Sequence, residues 1–196
     1  MKTTTKFCTA LLFSGTVALA GCGAPTVETK RSVTTYNVKG LSGRAVADAT
    51  VSAVRARVSS ANVQRSIAPA ILPAKPGALE VKDALAGSNL GALTGGALVA
   101  TCDGAMAVIR ASDRSFAGYG ESTGYTVCVW PYRGGVNVDV YSSFSEKSGG
   151  VSPAELGKQL ASSAFGNSSQ FIGKMNDGIV ASLQKAGGTV TKVGQR

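Results

Sequence analysis

The chain of 196 residues contains no histidine. That absence removes Ser-His-Asp and Cys-His catalysis, histidine metal sites and the usual general base near neutral pH. An enzyme built from this composition would have to work with carboxylates, lysine or tyrosine. Acids are scarce as well, with 11 Asp and Glu against 20 Lys and Arg and a net charge of +9. Glu121 and Asp139 are the carboxylates that could be paired for glycan hydrolysis, but nothing in the sequence brings them together. The basic residues, though in excess, form no run of five, and no nucleic-acid-binding motif is present. Nucleic acid is therefore not an expected partner. A solvated basic surface is the plain reading, and attraction to anionic headgroups or acidic glycan is the sharper one. The glycines of Gly118-Tyr119-Gly120 and Gly134-Gly135 fit no phosphate-loop spacing and read as turns.

The N-terminus is far more specific. Lys2 and Lys6 precede an uncharged run from Phe7 to Ala20, whose apolar side chains include Leu11, Leu12, Phe13, Val17 and Leu19. A basic segment, an apolar stretch too short to cross a bilayer, and small residues after it make a secretory signal. The residues that follow, Leu19-Ala20-Gly21-Cys22, resemble the lipobox of bacterial lipoprotein precursors. This resemblance covers the first 22 residues and stops there. It implies removal of residues 1–21, a thioether-linked diacylglycerol on the Cys22 sulfur and an acyl chain on its new amino group. Each buried acyl CH₂ contributes about 0.8 kcal/mol, and one chain holds a protein only reversibly. Two or three chains on one residue make departure slow. Gly23 stands where lipoproteins retained at the inner membrane carry Asp, which implies the periplasmic side of the outer membrane in a cell that has one.

The mature chain then carries 18 basic and 11 acidic side chains, or +7. Residues 22–30 read as a lipidated tether and residues 31–196 as a single domain, the usual outcome for this length. Cys8 leaves with the signal and Cys22 is consumed by lipid. Cys102 and Cys128 remain as an even pair in an oxidising compartment, so a disulfide is expected, closing roughly 27 residues. Two thiols make a poor zinc site, and no metal or cofactor is expected.

Residues 31–39 are rich in β-branched and aromatic types and predict a strand ended by Gly40. Ala47, Val51, Val54 and Val58 recur at helical spacing and predict a helix over 44–58. Residues 59–79 hold Pro69, Pro73 and Pro76 and exclude a continuous helix or central strand, yet IAPAILPAKPG is apolar enough to lie on the core. Residues 84–102 carry no charge, and Gly87, Gly91 and Gly95 line one face at four-residue spacing. That is the pattern of closely packed membrane helices, although Ser88, Asn89 and Thr94 dilute it; the plainer reading is a connector into a buried strand, 97–101. Strands are predicted over 105–111 and 125–130, then a turn at Arg133-Gly134-Gly135 and a strand over 136–144. In that strand Val136, Val138 and Val140 face the core, with Asn137 and Asp139 on the other side. Ser152-Pro153-Ala154-Glu155 starts a helix with a capping box. A second helix opens at Ser168 or Ser169, with Phe171, Ile172, Met175, Ile179, Val180 and Leu183 in one stripe, and residues 189–193 form a last strand.

The fold expected is α+β: an antiparallel sheet of four to five strands with helices packed mainly on one face. The function expected is a membrane-anchored envelope lipoprotein acting by binding or assembly, not an enzyme, with an envelope protein or glycan as partner. Trp130, Tyr132 and Arg133, at a hairpin tip, have the composition of a recognition surface, although packing at the sheet end explains them more simply. Two other readings stay open. One is insertion or self-association, including homo-oligomers, through 84–102; the other is a histidine-free cell-wall hydrolase using Glu121 and Asp139.

Overall fold

A computed structural model describes residues 26–84, 98–114, 122–148 and 168–195. Alternation of β-branched residues with polar ones generates most of the described chain. Strand β1 (Thr26–Lys39) leads into helix α1 (Gly43–Arg55), then β2 (Ser60–Arg65), β3 (Glu80–Asp83), β4 (Leu98–Thr101), β5 (Ala107–Asp113), β6 (Ser122–Tyr132) and β7 (Gly135–Ser148). Helix α2 (Ser168–Lys185) and β8 (Thr189–Gln195) complete it. Six strands form one sheet in the order β2-β5-β6-β7-β1-β8, every neighbouring pair antiparallel. Strands β3 and β4 pair separately as a two-stranded hairpin.

The α+β class is as expected, but the sheet is larger than the four to five strands predicted. Strand β2 falls within a stretch whose prolines ruled out a central strand. It lies at the sheet edge and ends at Arg65, before the first proline. The tether expected to reach residue 30 loses its last five residues to β1, which pairs with β7 from Thr26↔Ser148 to Val38↔Val136. The buried strand expected at 97–101 is β4, and of its four residues only Ala100 is buried, because among the described residues its sole strand partner is β3. The signal and lipobox (1–22), the glycine-spaced stretch 85–97, Glu121 and the helix expected from Ser152 lie outside the described residues.

Residues of one parity build the larger core. Tyr36 and Val38 of β1, Ile109 of β5, Val127 and Val129 of β6 and Val136, Val138 and Val140 of β7 meet Val46, Val51 and Val54 of α1 and Met175, Ile179 and Leu183 of α2. The α2 stripe is the one its periodicity predicted, and full burial of each such side chain is worth about 1.5–3 kcal/mol. Ser42 caps α1, its hydroxyl accepting from the amide of Ala45 at 3.2 Å.

The opposite parity is covered too, by chain rather than by solvent. Val33, Cys128, Trp130 and Tyr141 pack with Leu79, Ala100, Cys102 and Ala105. The Cys102–Cys128 disulfide, with Cα atoms 5.8 Å apart, ties the segment after β4 to the sheet's interior strand β6.

Candidate binding cavity

The tight β6–β7 turn, the N-terminus of α1 and the segment after β2 converge at one end of the sheet. Gly135, at φ +137°, follows the turn, and a Cβ there would lie 2.6 Å from the Val38 carbonyl oxygen. Pro131 pairs with Val136 two residues from the turn, beyond the point where β5 begins at Ala107↔Val129. No β5 strand residue lies beside it to need the amide it lacks. Between these elements opens a cavity of about 780 Å³, within the range of about 300–1,000 Å³ typical of small-molecule sites.

Its floor and walls are apolar: Ala107 and Val136 from the sheet, Leu41 and Ala47 around the start of α1, Met106 before β5, and Ile67 and Leu72 from the proline-rich segment. That segment is a strap fastened at two points. The Ser66 amide donates to the Met106 carbonyl at 2.8 Å, and the Arg133 amide donates to the Pro73 carbonyl at 3.0 Å. Arg133 Nε adds a longer bond to the Leu72 carbonyl, 3.4 Å. Between the fastenings the apolar side chains do not pack down. Ile67 is 97% exposed and Ile71 83%.

Three arginines line the cavity: Arg44 in the first turn of α1, Arg65 at the end of β2, and Arg133. Arg65 is held by Asp48 at 2.6 Å, while Arg44 makes no ion pair among the described residues. No acidic residue sits in the first turn of α1, so the positive end of its dipole stands unopposed beside the arginines. Among the described residues no carboxylate, thiol or lysine lines the cavity.

The three residues expected at a recognition surface are separated. Trp130 is 3% exposed, packed on the second face under Gly77 and Leu79. Tyr132 is half-buried, its hydroxyl accepting from Asn37 Nδ2 at 2.7 Å. Arg133 is exposed, and only Tyr132 and Arg133 line the cavity. Sequence reasoning passed over Arg44, Arg65 and Met106. The signals for this site were Tyr132 and Arg133 at the hairpin tip and the apolar character of the proline-rich strap.

Asp139, expected on a solvated face, is 3% exposed. Its Oδ2 accepts from the buried amide of Leu79 at 3.0 Å, and this bond pins the chain before β3 to β7. The reason for the difference is the cover on the second face, which single-strand alternation does not report. Among the described residues no three His, Cys, Asp or Glu side chains cluster as metal ligands, and no helix is long and apolar enough to cross a membrane.

No protein-family model and no curated protein matches the chain. Among solved structures it is similar to an uncharacterized protein from Rhizobium leguminosarum, 13% identical, over 83% of this chain and 99% of that one. The TM-score is 0.33, a likeness too slight to bear on fold or function.

Proposed function

We propose that the chain is a lipid-anchored envelope protein that works by binding a partner or ligand, with the cavity at the start of α1 as its site. The cavity's lining carries this reading. Arginine stays protonated throughout the physiological range, so three arginines offer attraction and hydrogen bonds but no proton transfer. The Tyr132 hydroxyl is engaged by Asn37, and the Ser42 hydroxyl by the α1 cap. The lining is suited to holding an anion against apolar walls.

The long β1 strand supports a division of labour along the molecule. Cys22 precedes Thr26 by four residues, at most about 14 Å of extended chain. From Thr26 to Lys39 the strand advances about 40 Å at about 3.3 Å per residue. A lipid on Cys22 would then attach within reach of the Thr26 end of the sheet, while the cavity opens near the Lys39 end.

The anchor is tested by growing cells with an alkyne-bearing palmitate. The wild-type chain is expected to take up label and to require detergent for extraction, whereas Cys22→Ala loses both properties. Equal labelling and fractionation of the two chains would defeat the anchored reading. The wall-hydrolase alternative finds no support at Asp139, whose carboxylate is buried and bonded to the backbone.

A further inference from the structure

We infer that the ligand of this cavity is a single-chain anionic amphiphile, an acyl chain bearing one carboxylate or phosphate head. The inference rests on the binding reading above and names the ligand class for that site.

The two halves of such a molecule match the two halves of the lining. Leu41, Met106, Ala107 and Val136 supply apolar lining from helix entry to sheet floor. Ile67 and Leu72 face them from the strap, and Ile67 stands almost wholly in water although it belongs to the cavity wall. An acyl chain laid between floor and strap would give that isoleucine the apolar cover it lacks. The cationic half is Arg44, Arg65 and Arg133 with the N-terminal amides of α1. Helix geometry leaves the amides of Gly43 and Arg44 without intrahelical acceptors. Asp48 offsets one of the three charges through Arg65, and among the described residues no acid lines the cavity to offset the others. The surplus is positive and close to apolar walls, which selects an anionic head joined to an apolar body. Guanidinium geometry suits carboxylate and phosphate alike.

A peptide fits less well. Each of its residues would bring an amide and a carbonyl that require partners, and the apolar half of the lining, Leu41, Met106, Ala107 and Val136, offers no side-chain partner for them. An uncharged lipid would leave the arginines idle.

The test uses the whole wild-type chain in lipid nanodiscs, exposed to palmitic acid carrying a photoreactive diazirine, with labelled peptides mapped by mass spectrometry. Label is expected on peptides containing Ile67, Leu72 or Met106. Excess palmitate or lysophosphatidate should displace it, hexadecanol should not, and the better competitor names the head group. Arg44→Gln, which touches no ion pair, should lower cavity labelling, and Arg44→Gln with Arg133→Gln should lower it about tenfold or more. Arg44→Lys should restore part of it. Circular dichroism and an intact Cys102–Cys128 bond establish that the variants fold. Label confined to other peptides, displacement by hexadecanol as effective as by palmitate, or unchanged labelling in the double variant would overturn the inference. The anchor is read separately, as metabolic palmitate on Cys22, so failure of one leaves the other measurable.

Discussion

Gly77 and Asp139 show how the second face is built from single residues. A Cβ at Gly77 would fall on the indole ring of Trp130, which is buried and cannot swing aside. Gly77→Ala is expected to destabilise the fold by about 1–3 kcal/mol, the usual penalty of overpacking, measured as a shift in the urea midpoint. Removing the Asp139 carboxylate breaks its bond to the buried Leu79 amide. Asp139→Ala should cost about 1–3 kcal/mol by the same measurement; an unchanged midpoint would mean that this bond anchors nothing. Neither position was legible in the sequence. Gly77 looked like one more residue of a proline-rich loop, and Asp139 like the polar half of an alternating strand. Both readings were locally sound, and what altered them was chain from 40 or more residues away lying across the sheet.

At the level of elements, periodicity was a good guide wherever one face of an element decided its burial. Helix α2 begins at Ser168 and buries Met175, Ile179 and Leu183 as the stripe requires, and Val136, Val138 and Val140 of β7 all point to the helices. It was a poor guide for β2, β3 and β4. These short strands lie at a sheet edge or in the separate hairpin, with few buried side chains to imprint a pattern. The disulfide compensates for the small hydrophobic contribution of the β3–β4 hairpin. Its cysteines are 26 residues apart, and closing a loop of that size stabilises by about 3 kcal/mol on the chain-entropy model. Adding reductant, or replacing both cysteines by alanine, should lower the thermal midpoint markedly. Alkylation without reductant should label neither Cys102 nor Cys128; labelling of both in the native protein would contradict the bond.

Across the whole molecule the missing histidines return as a pH dependence. No side chain here has an ordinary titration point between about pH 6 and 8, so stability should be nearly flat across that range. Two buried tyrosines contribute to the alkaline limb. Burial raises the Tyr125 phenol above its ordinary value of 10.0, with nearby Asp113 adding to the effect. Tyr36 is raised by burial and then by Asp177. A phenol whose folded pKa lies above its unfolded one favours folding fully below pH 10.0, and that contribution is lost as pH climbs from there toward the folded value. Urea midpoints should therefore hold steady and then fall above about pH 10. Tyr125→Phe should soften that fall at little cost near neutrality, because among the described residues the Tyr125 hydroxyl has no hydrogen-bond partner to lose.

The sequence by itself determined what depends on neighbours a few residues away: the α+β class, α1 and α2, the β6–β7 hairpin, and the exclusion of histidine chemistry. The motif ending at Cys22 also belongs there, since it is read from four adjacent residues, and the anchor it implies is the proposal that labelling will decide. Tertiary structure alone decided the strand order β2-β5-β6-β7-β1-β8, the covering of the second face, and the meeting of Arg44, Arg65 and Arg133 around one cavity. The physical reason is range. Helical and strand periods are set by backbone geometry over a few residues, whereas a cavity is the space left when distant segments pack, and no local pattern encodes a space.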